Sequence, residues 1–129
     1  MTTRRKFLLL SGAALAAPAL PQLASAQKWP ARPIRAIVPF TAGSTIDIIG
    51  RIVLEPLSAA LGQPIVVENR GGAGGTVGTA LVAKAEPDGH TILIHASAHS
   101  AAPAAYPKAP YHAGRDFAGV VVFGSVPNV

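Results

Sequence analysis

Short β-branched runs alternate along the chain with longer stretches in which apolar residues recur at helical spacing. The run "IRAIVPF", residues 34–40, predicts a buried strand. The stretch after it predicts an amphipathic helix, because apolar residues recur three or four positions apart, at Ile48, Ile49, Ile52, Val53, Leu57 and Leu61. Pro56 interrupts this pattern, so we expect a kink or break there rather than one straight helix.

The ends of this first helix carry local signals. Ser44 or Thr45 can act as the N-cap, since short hydroxyl side chains accept a hydrogen bond from the first free amides of a helix. Asp47 falls in the first turn, where a negative charge is favoured by the helix dipole. Gly62 suits the C-terminal cap, which needs a left-handed backbone conformation.

The strand–loop–helix unit then occurs again. The run "PIVVEN" (residues 64–69) predicts a second strand, and a second helix is predicted from Thr76 to Lys84. The run "TILIHA" (residues 91–96) predicts a third strand, and "FAGVVVFGSV" (residues 117–126) predicts another. Residues 101–116 are rich in Ala and Pro, and we expect a surface loop there with little regular structure.

Strands that alternate with helices predict an α/β fold with a mostly parallel sheet and right-handed crossovers. In such open sheets, ligands bind beyond the carboxyl ends of the strands. The loops after the three strands, residues 41–47, 70–78 and 97–103, are therefore expected to lie at one edge.

The first 26 residues have the composition of a targeting segment. Basic residues Arg4 to Lys6 precede an apolar run from Phe7 to Leu20, and Ala24 to Ala26 form an A-x-A motif. This order predicts a secretory signal peptide that is cleaved after Ala26, and hence export to the periplasm. A membrane-spanning helix would need roughly 20 apolar residues, more than this run provides. The adjacent arginines fit a twin-arginine signal, and the general secretory route stays open.

Charge and cysteine content exclude several classes of protein. The chain has 11 Lys and Arg; three leave with the signal, and the remaining eight are scattered against six Asp and Glu. Nucleic-acid binding is not expected, because it needs a clustered basic surface. With no cysteine, neither a disulfide nor a thiolate metal site can form. His95 and His99 are four apart but not on one predicted helix, so no metal or cofactor is expected. His90 and His112 are predicted to be solvated.

The stretch "NRGGAGGTVG", residues 69–78, contains five glycines in ten positions. A dinucleotide fingerprint needs G-x-G-x-x-G. A motif that starts at Gly72 would need its last glycine at position 77, but the glycine comes one position late, at Gly78. A P-loop needs a lysine, and none occurs between Lys28 and Lys84. Two interpretations stay open: the glycines permit close helix–strand packing, or the backbone amides at this helix start bind an anion such as a carboxylate.

Three blocks together resemble a known family: "RPIRAIVPFTAGSTIDIIGR", "LGQPIVVENRGGAGGTVGTALVAKAEPDGHTIL" and "YPKAPYHAGRDFAGV". They are similar in order and spacing to the Bug family, the extracytoplasmic solute receptors of tripartite tricarboxylate transporters. The resemblance runs from about Trp29 to the last residue. It implies a type II periplasmic binding protein fold, in which two α/β domains close on a ligand. Residues 27–129 would form the N-terminal part of the first domain, with the second domain absent.

The resemblance also implies the ligand and the residues that contact it. Family members bind small carboxylates: tricarboxylates, dicarboxylates and related organic acids. The implied ligand-binding residues lie in the three loops: Thr41, Ala42, Gly43, Ser44, Thr45 and Asp47; Gly72, Ala73, Gly74, Gly75 and Thr76; Ser97 and His99. The third loop matches the family pattern in part, since Ala98 and Ala102 replace a threonine and an asparagine. In the glycine loop, Gly71 replaces a common proline.

The implied function is that of a periplasmic receptor, not an enzyme. It would capture a small organic acid and deliver it to integral-membrane transporter subunits, after passage through the export machinery. One alternative is a small secreted hydrolase that uses Ser44 or Ser97 with His99, although no G-x-S-x-G motif is present. The other is a truncated remnant without function.

Overall fold

The computed structural model describes residues 28–125, which contain three strands and three α-helices. Their order is β1 (Ile34–Val38), α1 (Thr45–Leu61), β2 (Ile65–Asn69), a 3-10 turn (Ala73–Gly75), α2 (Thr76–Ala83), β3 (Thr91–Leu93) and α3 (Ala98–Ala105). The predicted signal peptide and its cleavage site lie outside the described residues. Within 28–125, each helix is too short or too polar to span a bilayer.

The three strands form one parallel sheet in the order β2-β1-β3. Ile34 lies opposite Ile65 on one side of β1, and Arg35 lies opposite Thr91 on the other. The predicted α/β class with a parallel sheet is confirmed. The central strand reads as an almost continuous apolar run because parallel sheets are covered by helices on both faces.

The core forms where α1 packs on the central strand. Its buried members are Ala36, Val38, Leu54 and Ile94. Gly50 allows the helix to approach this closely, since a Cβ at that position would lie 3.1 Å from Cγ2 of Ile94. Removing these apolar side chains from water is the main stabilising contribution to the fold.

The capping predictions for α1 are confirmed; of the kink or break predicted at Pro56, the break is wrong. The Ser44 hydroxyl accepts a hydrogen bond from the Asp47 amide at 3.4 Å, and Gly62 ends the helix with φ of 67°. The helix continues through Pro56 because Pro56 and Ile52 both lie on its exposed side. Water can hydrate the Ile52 carbonyl, which the proline cannot satisfy.

Two predictions for the C-terminal part are also wrong. Residues 101–116, expected to contain little regular structure, include most of α3, an alanine-rich helix with Ala102 buried. Alanine has the highest intrinsic helix propensity, which outweighs the effect of Pro103 near the end. Residues 117–125 form no strand; Val120 and Val122 are more than four-fifths exposed. A strand needs a partner for its backbone groups, and none pairs with this segment within residues 28–125.

His90 is buried rather than solvated. Its exposed fraction is 7%, since the ring of Trp29 covers it edge-on at a centroid distance of 5.9 Å. The carboxylate of Asp88 accepts a hydrogen bond from the His90 amide at 2.9 Å and pairs with Arg32 at 2.7 Å. His112 is exposed, as predicted.

Candidate functional site

The loops after the three strands meet at the carboxyl edge of the sheet. The Arg70 amide donates to the Val38 carbonyl at 2.8 Å, which joins the end of β2 to the end of β1. Gly71 lies beside the first loop, because a Cβ there would be 3.8 Å from the amide nitrogen of Thr41. A Cβ on Gly75 would lie 3.1 Å from Nε2 of His95, so the second and third loops are in contact.

The first loop, residues 41–47, is held by the carboxylate of Asp47. One oxygen, Oδ2, accepts from the Gly43 amide at 2.9 Å; the other, Oδ1, accepts from Arg51 at 3.0 Å and from Asn69 at 3.0 Å. These donors, with Arg51 the strongest, lower the pKa of Asp47 to about 2. The carboxylate is buried and fully bonded within the protein, so Asp47 positions this loop.

Asn69 connects the first loop to the end of β2. Its side-chain amide donates to the Phe40 carbonyl at 3.2 Å as well as to Asp47, and its carbonyl oxygen accepts from Arg51 at 3.2 Å. The sequence analysis did not single out Asn69. The available signal was a side chain with both donor and acceptor at the last position of a strand.

Backbone amides without acceptors lie on both helix starts. Among residues 28–125, the amides of Thr45 and Ile46 donate no hydrogen bond, as expected for the first turn of a helix. The amides of Gly72, Ala73 and Gly74 likewise find no acceptor in the described part of the chain. Four of these five residues are exposed.

The packing interpretation of the glycine loop holds for two of its glycines. Gly75 and Gly78 serve packing: a Cβ on Gly78 would lie 2.6 Å from the Arg70 carbonyl oxygen and 2.9 Å from Cβ of Pro39. Residues 72–75 all have positive φ, including Ala73 at 45°, a conformation that costs an L-residue about 1 kcal/mol. This backbone leaves the amides of residues 72–74 without internal partners.

Thr76 and the exposed residues of the first loop take different places at this edge. The Thr76 hydroxyl donates to the Ala73 carbonyl at 2.9 Å, so this buried side chain closes the 3-10 turn. Thr41 and Ala42 are exposed beside the first helix start.

The two predicted residues of the third loop make no hydrogen bond to the first two loops within residues 28–125. Ser97 is the N-cap residue of α3, and its side chain makes no capping hydrogen bond. The His99 ring lies 5.3 Å from the ring of His95 and also packs on the 111–117 segment, edge-on to Phe117 at 4.8 Å and stacked on Tyr111 at 6.2 Å. Its Nε2 atom lies 3.3 Å from the Ala113 carbonyl oxygen.

His95 is the polar residue of the third loop that reaches the junction. Its ring lies edge-on to Phe40 at 5.3 Å, and its Nδ1 atom accepts from the Ala96 amide at 2.8 Å. Burial, followed by the neighbouring His99, lowers the pKa of His95, which favours the neutral ring. Its position after β3 was the available sequence signal. Within residues 28–125, no group of three or more His, Asp or Glu side chains is arranged to hold a metal ion.

Comparison with known proteins assigns the chain to a class. The family model for the tripartite tricarboxylate transporter family receptor matches residues 49–129. The chain therefore belongs to this receptor family.

Individual relatives agree with this assignment. Protein BugT of Bordetella pertussis is 41% identical over 127 residues; the match covers 95% of this chain and 36% of BugT. MatC of Rhodopseudomonas palustris, solved with bound malate, is 43% identical, with a TM-score of 0.64 over 68% of this chain and 30% of MatC. A structure described as a periplasmic transporter is 50% identical, with a TM-score of 0.62 over 64% of this chain and 28% of its own. The chain thus spans about a third of the length of these relatives.

Proposed function

We propose that this protein is a periplasmic solute receptor that captures a small carboxylate and delivers it to the membrane subunits of a tripartite tricarboxylate transporter. The ligand is a tricarboxylate, a dicarboxylate or a related organic acid. Membership of the receptor family supports this function, and so does the malate that is bound in the related MatC. Export through the predicted signal peptide, residues 1–26, belongs to the same proposal.

The observation that carries the proposal is the set of unbonded amides at two helix starts on one sheet edge. A carboxylate there would accept hydrogen bonds from Gly72, Ala73 and Gly74 in the second loop and from Thr45 in the first. Each such bond to a charged group contributes about 1.5–3 kcal/mol, so three or four would dominate the affinity for a small acid. Each of the two loops precedes a helix, and the positive end of a helix dipole favours a negative charge.

The other predicted site residues take supporting parts in this proposal. Asp47 and Ser44 hold the first helix start in position, and Thr76 closes the turn below the glycine amides. Gly75 provides the space that lets His95 approach. Thr41, Ala42 and Gly43 form the exposed rim beside the first helix, and Ser97 and His99 lie in the third loop.

The hydrolase alternative lacks the pair of residues that it requires. A serine nucleophile must hydrogen-bond to its histidine base. In the described part of the chain the Ser44 hydroxyl bonds to the Asp47 amide, and His99 bonds to neither Ser44 nor Ser97. Neither Ser44 nor Ser97 therefore forms the serine–histidine pair with His99 that a hydrolase needs.

A proline substitution at Thr45 tests the amide site directly. Thr45 is the first residue of α1, where proline is well tolerated, and Ser44 before it is extended, as a residue that precedes proline should be. Thr45→Pro removes one unbonded amide and no internal hydrogen bond. We expect malate, succinate or citrate, whichever the protein binds best by calorimetry, to bind at least about tenfold more weakly.

Thr45→Ala is the matched control, because it removes the hydroxyl and keeps the amide. We expect it to bind the acid within about twofold of the wild type. Both variants are to be made in the full-length gene product. Their melting temperatures should match that of the wild type. Equal affinity of the wild type and Thr45→Pro would exclude the Thr45 amide from the site. An acid that is consumed during the titration would indicate an enzyme.

A further inference from the structure

The side chain of Tyr106 lies directly over the glycine loop. An ideal Cβ on Gly74 would be 2.6 Å from Cε2 of this ring and 2.9 Å from its hydroxyl oxygen. The Tyr106 backbone is fixed by two hydrogen bonds, since its amide donates to Ala102 at 2.8 Å and its carbonyl accepts from Ala109 at 2.9 Å. The ring therefore has a defined position above the amides of the second loop.

The hydroxyl group of Tyr106 is available for a ligand. It makes no hydrogen bond to any residue in 28–125, and the residue is 40% exposed. A tyrosine hydroxyl can both donate and accept, so it can donate to a carboxylate that is held by the amides below it. From the sequence, Tyr106 was expected to lie in a surface loop without a function.

A groove of about 410 Å³ begins beside this ring. It is lined by Thr76 at the start of α2 and by residues 105–110, which include Tyr106 and the exposed cation of Lys108. Tyr106 lines this groove and also contacts Gly74, so its ring lies between the groove and the glycine loop. The size of the volume is that of a small-molecule site.

We propose that Tyr106 is a specificity-determining residue of the carboxylate site. Its hydroxyl donates a hydrogen bond to the bound carboxylate, and its ring restricts the site to short acids by closing the way into the groove. This inference rests on the proposed receptor function and adds to it a side chain that selects the ligand by length.

Two substitutions separate the contributions of the hydroxyl and the ring. Tyr106→Phe keeps the contact with Gly74 and removes the hydroxyl; we expect at least about tenfold weaker binding of the preferred acid, at an unchanged melting temperature. Tyr106→Ala opens the groove; in a calorimetric series from succinate through glutarate and adipate to pimelate, we expect the preference to move to longer acids. Tyr111→Phe is the matched control, because Tyr111 packs on His99 and Phe117 away from Gly74.

The outcomes distinguish this inference from the function on which it rests. If Tyr106→Phe and Tyr106→Ala bind the same acids with wild-type affinities, Tyr106 has no part in specificity and the receptor function stands. If the wild type binds neither malate nor citrate nor any acid of the series, the receptor function fails and the inference fails with it. A loss of affinity in Tyr111→Phe as large as in Tyr106→Phe would assign the effect to general packing and overturn the inference.

Discussion

The first and second loops occupy equivalent places in the fold, but different forces hold them. Each follows a parallel strand and precedes a helix at the same sheet edge. In the first, side chains fix the backbone: Ser44 caps the helix, and the buried carboxylate of Asp47 bonds to Gly43 and Arg51. In the second, no side chain caps α2, and the positive-φ backbone of residues 72–75 is held mainly by close packing, with one side-chain hydrogen bond from Thr76 to the Ala73 carbonyl.

The difference shows two ways of leaving amides open to a ligand. A capping side chain satisfies one amide of the first turn and leaves the others free, so the first loop presents Thr45 and Ile46. A loop without a cap leaves more amides free, but its backbone must be held by close packing. The second loop therefore presents the amides of residues 72–74, and its backbone packs closely at Gly78. Packing variants should therefore affect the second loop most, and polar variants the first.

The largest expected effect is a packing effect in the second loop. Gly78→Ala would place a Cβ 2.6 Å from the Arg70 carbonyl oxygen, and backbone on both sides prevents an easy adjustment. We expect the free energy of unfolding, measured by urea denaturation, to fall by about 3 kcal/mol.

Gly43→Ala in the first loop is the matched control. Gly43 also stands in a turn, with φ of 81°, but a Cβ there would meet nothing within 4 Å. Backbone strain alone should lower the free energy of unfolding by about 1 kcal/mol. If both variants lose the same amount, close packing is not what fixes the second loop.

The same distinction explains how much of the structure the sequence predicted. The first loop and α1 were predictable because their determinants are local: Ser44, Asp47 and Gly62 act within a turn of their own positions. Two other contacts, of Tyr106 with Gly74 and of Trp29 with His90, were not predictable, since each joins residues more than 30 positions apart. The strand predicted over residues 117–125 is absent for a related reason. The apolar pattern of this segment indicates burial, but strand pairing depends on a neighbouring strand that the local sequence does not specify.

A smaller effect is expected at the helix caps. Ser44→Ala removes the hydroxyl that accepts from the Asp47 amide, and loss of such a cap costs about 1 kcal/mol of unfolding free energy. Ser97→Ala, at the start of α3, removes a hydroxyl that makes no capping bond and should change the free energy by less than about 0.5 kcal/mol. Urea denaturation of both variants measures the difference. Equal losses would show that the Ser44 bond does not stabilise α1.

The smallest expected effect is a change in slope with pH. The pKa of Asp47 is lowered to about 2 in the folded protein, against about 4 in an unfolded chain. The unfolded state therefore binds more protons in this window, and the stability from Asp47 is complete above about pH 4 and lost as the pH falls towards 2. Glu68 has its pKa lowered to about 2 by Arg35 and Arg70 and acts in the same window, with smaller contributions from other carboxylates.

Asp47→Asn should make the loss of stability between pH 4 and pH 2 shallower by at least about a quarter, because one of a few linked carboxylates no longer titrates. Ala73→Gly removes no titratable side chain, so it should keep the wild-type slope. It should change the free energy of unfolding itself, since it relieves the positive φ of 45°. Thermal unfolding at several pH values measures both variants. A wild-type slope in Asp47→Asn would mean that the Gly43, Arg51 and Asn69 bonds do not hold Asp47 in its charged form, and the electrostatic account of the first loop would be wrong.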